Sequence, residues 1–177
     1  MRFFTFVLLL LLGTRSAAAL PSDELFEALR TAPTVQHAQP LEDDILAAMK
    51  ESGSPTADLV YERASIAAAA GEIEMARELL DRVLVIQPDF SEAWLFRATL
   101  YLQEDALDQA LRDINEALIH EKRNFRAWAM LGRIFEQLEQ NKEALEAYNE
   151  ALKIHPHYES AVRAAKRLET LVNGREI

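Results

Sequence analysis

The sequence of 177 residues contains no cysteine, and this excludes several classes of protein at once. Disulfide scaffolds, thiol nucleophiles and thiolate zinc sites all require cysteine, and so does a lipid-anchored bacterial lipoprotein. Glycine is scarce, with five residues, and aromatic residues make up only 8% of the chain. Alanine and leucine are abundant instead, and both are strong helix formers. The composition therefore indicates an all-helical protein.

Basic residues are also few relative to acidic ones. The chain has 19 lysines and arginines against 29 acidic residues, which gives a formal net charge of −10. Binding to nucleic acid requires basic patches that neutralise phosphates, so we expect no nucleic-acid partner. Half of the residues are hydrophobic, which is enough to build a core and argues against global disorder.

The N-terminus differs in composition from the rest of the chain. Arg2 precedes a run over residues 3–12 that is apolar apart from Thr5, and Ala17, Ala18 and Ala19 offer the small residues that a signal peptidase reads. The run is roughly half as long as a membrane span needs. We therefore predict a cleaved signal peptide over residues 1–19, and no membrane span in the mature chain. Cleavage there would remove two arginines and no acid, which leaves a formal charge of −12.

The sequence also lacks an Asn-x-Ser/Thr acceptor for N-glycosylation. An exported protein with neither disulfide nor glycan suits a bacterial periplasm better than a eukaryotic secretory route. We therefore expect export to the periplasm of a Gram-negative bacterium.

The rest of the chain repeats with a period of 34 residues. The matched pairs are similar in size or type: Trp94 and Trp128, Ala98 and Gly132, Tyr101 and Phe135, Ala110 and Ala144, Ile114 and Tyr148, Ala117 and Ala151. One period upstream, the same places hold small or apolar residues: Val60, Ala64, Ala67, Ala76, Leu80 and Val83. Pro88 and Pro156 lie two periods apart, at the ends of the first and third units.

This pattern resembles the tetratricopeptide repeat, whose signature is W-x2-L-G-x2-Y, then A-x3-F, then P. The third unit matches best, the second departs at Arg97 and Lys122, and the first lacks both large aromatic residues. The resemblance implies an all-α fold, an α-solenoid of antiparallel helix pairs. Three repeats would span residues 57–90, 91–124 and 125–158, with second helices starting near Ile73, Leu107 and Lys142.

Further helices are predicted on both sides of the repeats. Residues 159–177 contain an amphipathic helix from Glu159 to Val172, typical of the polar cap of a solenoid. In the N-terminal segment, residues 20–56, Ser22 can cap a first helix, and Leu41 to Lys50 reads as a second. Thr31 to Pro40 reads as a loop between them. We expect this pair, a degenerate repeat or cap, to cover the first repeat.

No set of residues suggests catalysis. Neither a phosphate-binding glycine loop nor a Ser-His-Asp motif is present, so we predict neither an enzyme nor a cofactor. His155 and His157 could supply two metal ligands, but a metal site needs three or four, and they lie in an inter-repeat turn. We therefore predict no metal site.

The resemblance implies that the first helix of each repeat lines a concave groove. The candidate groove residues are Tyr61, Ser65, Leu95, Phe96, Thr99, Leu102, Arg126, Met130, Arg133, Arg163 and Arg167. One subclass of the family grips chaperone C-terminal carboxylates with lysines and asparagines at fixed places in this groove. Those places hold Tyr61, Ser65, Phe96, Arg126 and Met130 here, so only Arg126 fits, and that mode is disfavoured.

Two classes of function follow from this interpretation. The leading hypothesis is a non-enzymatic periplasmic adaptor that binds a peptide or helix of an envelope protein, with Leu95 and Phe96 as apolar anchors. The arginines would orient an acidic segment, unless Glu136, Glu159 or Glu169 neutralise them. The alternative is a structural solenoid that self-associates or fills its groove with residues 20–52. An accessory subunit of an envelope complex, in wall remodelling, transport or siderophore uptake, is a third possibility.

Overall fold

The computed structural model describes residues 21–174, and these residues form nine α-helices. The predicted signal peptide, residues 1–19, lies outside the described residues. The helices are α1 Asp23–Thr31, α2 Val35–Met49, α3 Pro55–Ala69, α4 Ile73–Ile86, α5 Ser91–Gln103, α6 Leu107–His120, α7 Phe125–Gln137, α8 Asn141–Ile154 and α9 Glu159–Asn173. None of the described helices is long and apolar enough to cross a membrane.

The helices from α3 onward pack in pairs along the chain. α3 packs on α4, α5 on α6 and α7 on α8, and each pair also contacts the next through α4–α5 and α6–α7. The last helix, α9, packs on α8. The predicted all-α solenoid of helix pairs is therefore confirmed, and its second helices begin at the predicted turns.

The turn inside each repeat has the same backbone geometry. Gly71, Asp105 and Glu139 lie 34 residues apart, and their φ angles are 79°, 59° and 58°. In each case the amide of the next residue bonds a carbonyl five positions back, as from Glu72 to Ala67 at 2.9 Å. This is a Schellman ending, which needs a left-handed residue at the turn. The 34-residue period therefore repeats backbone hydrogen bonds as well as side chains.

Small residues lie where the paired helices approach each other, as the repeat predicted. Ala98, Ala110 and Ala144 are fully buried. A Cβ atom built on Gly132 would lie 2.9 Å from three ring atoms of Tyr148. Because that ring occupies the space a side chain would need, the third repeat requires glycine at this position.

The two tryptophans stabilise the repeat structure and do not form a ligand site. Trp94 Nε1 donates to the Pro88 carbonyl at 2.7 Å, and Trp128 Nε1 donates to the Lys122 carbonyl at 2.9 Å. Each indole thus ties its helix to the loop that precedes it, and each ring packs against the core.

The boundaries of the second N-terminal helix differ from the prediction. The loop predicted over Thr31–Pro40 is wrong, because α2 begins at Val35 and contains Pro40. Proline removes one helical donor, the partner of the carbonyl four residues back. That carbonyl belongs to Gln36, an exposed residue, so water can replace the missing donor. Burial of Ala38 on the opposite side favours the helical path.

The α1–α2 hairpin does not cover the first repeat, so this prediction is also wrong. Its buried residues share a core with the third repeat and α9. The cluster comprises Phe26, Leu29, Ala38, Ile45, Met49, Phe125, Ala129, Ala144, Tyr148, Ala151, Ala161, Ala164, Ala165 and Leu168. The hairpin buries its apolar face there because α7, α8 and α9 offer a continuous apolar surface for it.

Polar contacts fasten the hairpin to the loops between repeats. Arg123 pairs with Asp23 at 2.5 Å, and its guanidinium lies 4.3 Å from the centre of the Phe26 ring. His155 Nε2 lies 3.0 Å from a Glu42 carboxylate oxygen. His157 Nε2 donates to the Ala32 carbonyl at 2.8 Å. The two histidines that might have suggested a metal site thus hold the hairpin in place.

Candidate functional site: a basic cavity on the concave side

A concave cavity of about 760 Å³ lies between the first helices of the second and third repeats and α9. Seven of the predicted groove residues line it: Leu95, Thr99, Arg126, Met130, Arg133, Arg163 and Arg167. The other lining residues are Ala129, Glu136, Tyr148, Tyr158, Ser160 and Ala164. None of the lining residues comes from residues 21–52, so the hairpin does not fill this cavity.

Four predicted groove residues lie elsewhere. The ring of Tyr61 packs against Phe90 and Phe96, with ring centres 5.1 and 5.7 Å apart, and Ser65 is exposed on α3. Burial raises the pKa of the Tyr61 phenol above its ordinary value, and the nearby Glu92 carboxylate adds to this. Phe96 and Tyr61 therefore support the core of the first repeat.

Leu102 is a core residue as well, since it is 8% exposed and packs in the cluster of the second repeat. Its apolar side chain gains from burial, whereas the corresponding Glu136 of the third repeat stays at the cavity. The groove prediction for Leu102 is therefore corrected.

Tyr148 lines the cavity although it comes from the second helix of its repeat. Its hydroxyl donates to Glu136 at 2.7 Å. Burial raises the pKa of this phenol, and the hydrogen bond to the Glu136 carboxylate raises it further, so the hydroxyl remains a donor. The signal in the sequence was Gly132, because the missing Cβ lets the ring lie against α7.

The cavity carries an excess of positive charge. Four arginines and one glutamate line it, and Glu92 and Glu159 pair with two of the arginines from outside the lining, which leaves a surplus of one positive charge in a chain whose net charge is −10. Arg126 Nη1 lies 3.0 Å from Glu92 Oε2, and Glu92 is 2% exposed. Asn124 Nδ2 donates to the other oxygen of that carboxylate at 3.0 Å. The Arg126 guanidinium is therefore held in position by a buried carboxylate.

The remaining arginines differ in their pairing. Arg167 pairs with Glu136, and Arg163 pairs with Glu159 one turn away on an exposed part of α9. Arg133 forms no ion pair within residues 21–174, and it is exposed. Exposed ion pairs are weak and open readily to a competing anion. Arg133 and Arg163 are thus the cations most available to a ligand.

The shape and lining of the cavity suit an acidic polypeptide segment. Met130 supplies apolar surface and the arginines supply charge-assisted donors, whereas Leu95, the predicted anchor, is 2% exposed and packs in the core of the second repeat. No group of three or more His, Asp or Glu side chains in the described part of the chain could hold a metal ion.

Comparison with known proteins agrees with the repeat geometry. A family model described as "Tetratricopeptide repeat" matches residues 57–100. A second, described as "Tetratricopeptide repeat protein 21 C-terminal ARM domain", matches residues 86–164. A TPR repeat-containing protein of Rhizobium etli is 26% identical over 163 residues, which cover 90% of this chain and 80% of that protein.

Two solved structures share the fold. The Sgt2 TPR domain from Aspergillus fumigatus has a TM-score of 0.64 at 21% identity, over 70% of this chain and 83% of that domain. The first TPR of Spaghetti (RPAP3), bound to the HSP90 peptide SRMEEVD, has a TM-score of 0.63 at 18% identity. That match covers 66% of this chain and 93% of the other. Together with the 34-residue period and its repeated turns, these matches show that the chain contains tetratricopeptide repeats.

Proposed function

We propose that this chain is a non-enzymatic interaction protein that binds an acidic peptide segment of a partner protein in the basic cavity. The observation that carries the proposal is the cluster of Arg126, Arg133, Arg163 and Arg167 on one concave surface of an acidic chain. Three of these arginines pair with Glu92, Glu159 and Glu136, but Arg133 has no such partner within residues 21–174 and the pairs of Arg163 and Arg167 are exposed, so the cluster favours an anionic ligand.

The architecture supports a peptide rather than a small anion. The cavity reaches from α5 to α9, and its apolar floor can bury side chains between the charged ones. The similar TPR of Spaghetti holds a peptide that ends in Glu-Glu-Val-Asp. Of the places of the family's carboxylate clamp, which hold Tyr61, Ser65, Phe96, Arg126 and Met130 here, only Arg126 fits. Because Arg126 is paired with the buried Glu92, the peptide carboxylates would instead meet Arg133 and Arg163.

The cellular setting is part of the proposal. Arg2, the apolar run over residues 3–12 and the alanines at 17–19 favour export and removal of residues 1–19. The adaptor would then act on an envelope protein in the periplasm of a Gram-negative bacterium.

We expect the fluorescein-labelled peptide SRMEEVD to bind the chain at low salt, and its lysine counterpart SRMKKVD to bind far more weakly. Arg133→Glu should weaken binding of the acidic peptide about tenfold, because attraction becomes repulsion, and should flatten its salt dependence. Fluorescence anisotropy at several salt concentrations measures both quantities.

The matched control is Arg112→Glu, which makes the same charge change at an exposed site on α6 outside the cavity. It should leave the affinity within about twofold of the unmodified chain, since long-range charge is screened by salt. Equal loss in both variants, or equal binding of the two peptides, would contradict the proposed site.

A further inference from the structure

The outer face of α3 is exposed at positions that every later repeat buries. Leu59 is 51% exposed and Ile66 is 63% exposed. The residues one, two and three periods after Leu59 are Ala93, Ala127 and Ala161, each 0% exposed. Those after Ile66 are Leu100, Ile134 and Leu168, at most 1% exposed.

These buried positions are the ones that pack on the preceding repeat. Ala93 and Leu100 belong to the core cluster of the first repeat, and Ala127 and Ile134 belong to that of the second. No repeat precedes α3 in the described part of the chain, and the α1–α2 hairpin packs on the third repeat instead. Among residues 21–174, the solenoid therefore ends in an uncovered apolar face of helix α3.

We propose that a second copy of this chain covers this face, in a two-fold symmetric dimer. The exposed stripe along α3 and the residue that follows it consists of Pro55, Leu59, Glu62, Arg63, Ile66 and Ala70. It is symmetric about the midpoint between Glu62 and Arg63. An antiparallel copy placed there sets Leu59 opposite the partner's Ile66, and Glu62 opposite the partner's Arg63.

The charges favour a second copy over an unrelated helix. Glu62 and Arg63 are exposed, and neither takes part in an ion pair within residues 21–174. In the dimer the same pair forms twice, since an isologous interface repeats every contact across the axis. The flanking leucine and isoleucine bury each other on both sides of these ion pairs.

The size of the exposed α3 face determines how tightly two copies are expected to associate. One 15-residue helix packed on its copy buries less than a stable interface usually does, so association on the order of micromolar to tens of micromolar is expected. The face contains none of the residues that line the basic cavity. Dimerisation therefore does not depend on the proposed peptide binding.

Sedimentation velocity of the purified full chain tests the dimer. Across roughly 1–200 µM the mass should rise from that of a monomer towards that of a dimer. Glu62→Arg or Arg63→Glu places like charges opposite each other, and each should raise the dissociation constant at least about tenfold. The double exchange Glu62→Arg with Arg63→Glu restores opposite charges across the axis, and should restore dimerisation.

Arg82→Glu, a charge reversal at an exposed site on α4, is the matched control and should not change the dissociation constant. A chain that stays monomeric at every concentration would overturn the proposal and leave this face to another protein. The proposal would also be overturned if neither single reversal changed the dissociation constant, or if the double exchange did not restore dimerisation. In either case the interface would lie elsewhere.

Discussion

Replacement of Arg97 by leucine is expected to lower the free energy of unfolding by about 3–5 kcal/mol. This holds although leucine is the residue that the repeat signature has at this position. Arg97 donates from Nε and Nη2 to the two oxygens of Asp113, at 2.7 and 2.8 Å. Asp113 is 4% exposed. The substitution would leave that carboxylate buried without its cation, and this is the origin of the loss.

The third repeat supplies the compensating exchange. One period later, Arg97 corresponds to Leu131 and Asp113 corresponds to Ala147, both buried. The free energy of unfolding of the double variant Arg97→Leu with Asp113→Ala should therefore lie within about 1 kcal/mol of that of the unmodified chain. The reason is that apolar residues can often replace a buried ion pair without loss of stability. Urea denaturation measures the free energy of unfolding of the unmodified chain, the single variant and the double variant. A single variant as stable as the double one would show that Asp113 does not depend on Arg97.

Substitution of Phe125 by alanine is expected to lower the free energy of unfolding by about 3–5 kcal/mol. Phe125 is 0% exposed, and its ring centre lies 5.0 Å from that of His155 and 5.1 Å from that of Tyr158. It shares its core cluster with Phe26 and Leu29 of the hairpin. Its loss should therefore loosen α1 and α2 as well as the third repeat.

Urea denaturation gives the stability of the Phe125→Ala variant, and hydrogen exchange shows where protection is lost. Val85→Ala is the control, since Val85 is 82% exposed and its substitution should change stability by less than about 0.5 kcal/mol. If amides of α1 and α2 kept full protection in the Phe125 variant, the hairpin would not share this core.

The repeat helices could be predicted from the sequence because their determinants are local. Helix pairs and turns recur at a fixed spacing, and each helix packs on its neighbour in the chain, as Gly132 of α7 does against Tyr148 of α8. The position of the hairpin could not be predicted in this way. It depends on contacts such as Arg123–Asp23 and His155–Glu42, about a hundred residues apart, which leave no periodic signal. Pro40 also misled the prediction, since proline usually ends a helix.

The candidate site was predictable in part for a similar reason. A rule based on positions in the first helix found seven residues that line the cavity, including all four arginines. It could not foresee which side chains turn into the core, as Leu102 does, nor that Tyr148 would enter from a second helix. It also missed the pairing of Arg126 with Glu92, because a buried carboxylate at the start of α5 is not visible in the residue pattern.

The most direct test of the central claim is an NMR titration of the isotope-labelled chain with unlabelled SRMEEVD. Binding at the basic cavity should shift the amide signals around Thr99, Arg126, Arg133 and Ser160, and leave those of α2 and α4 unchanged. The Arg133→Glu variant should lose these shifts at the same peptide concentration. Shifts confined to other helices, or shifts that persist in the variant, would contradict recognition of acidic segments by the concave arginines.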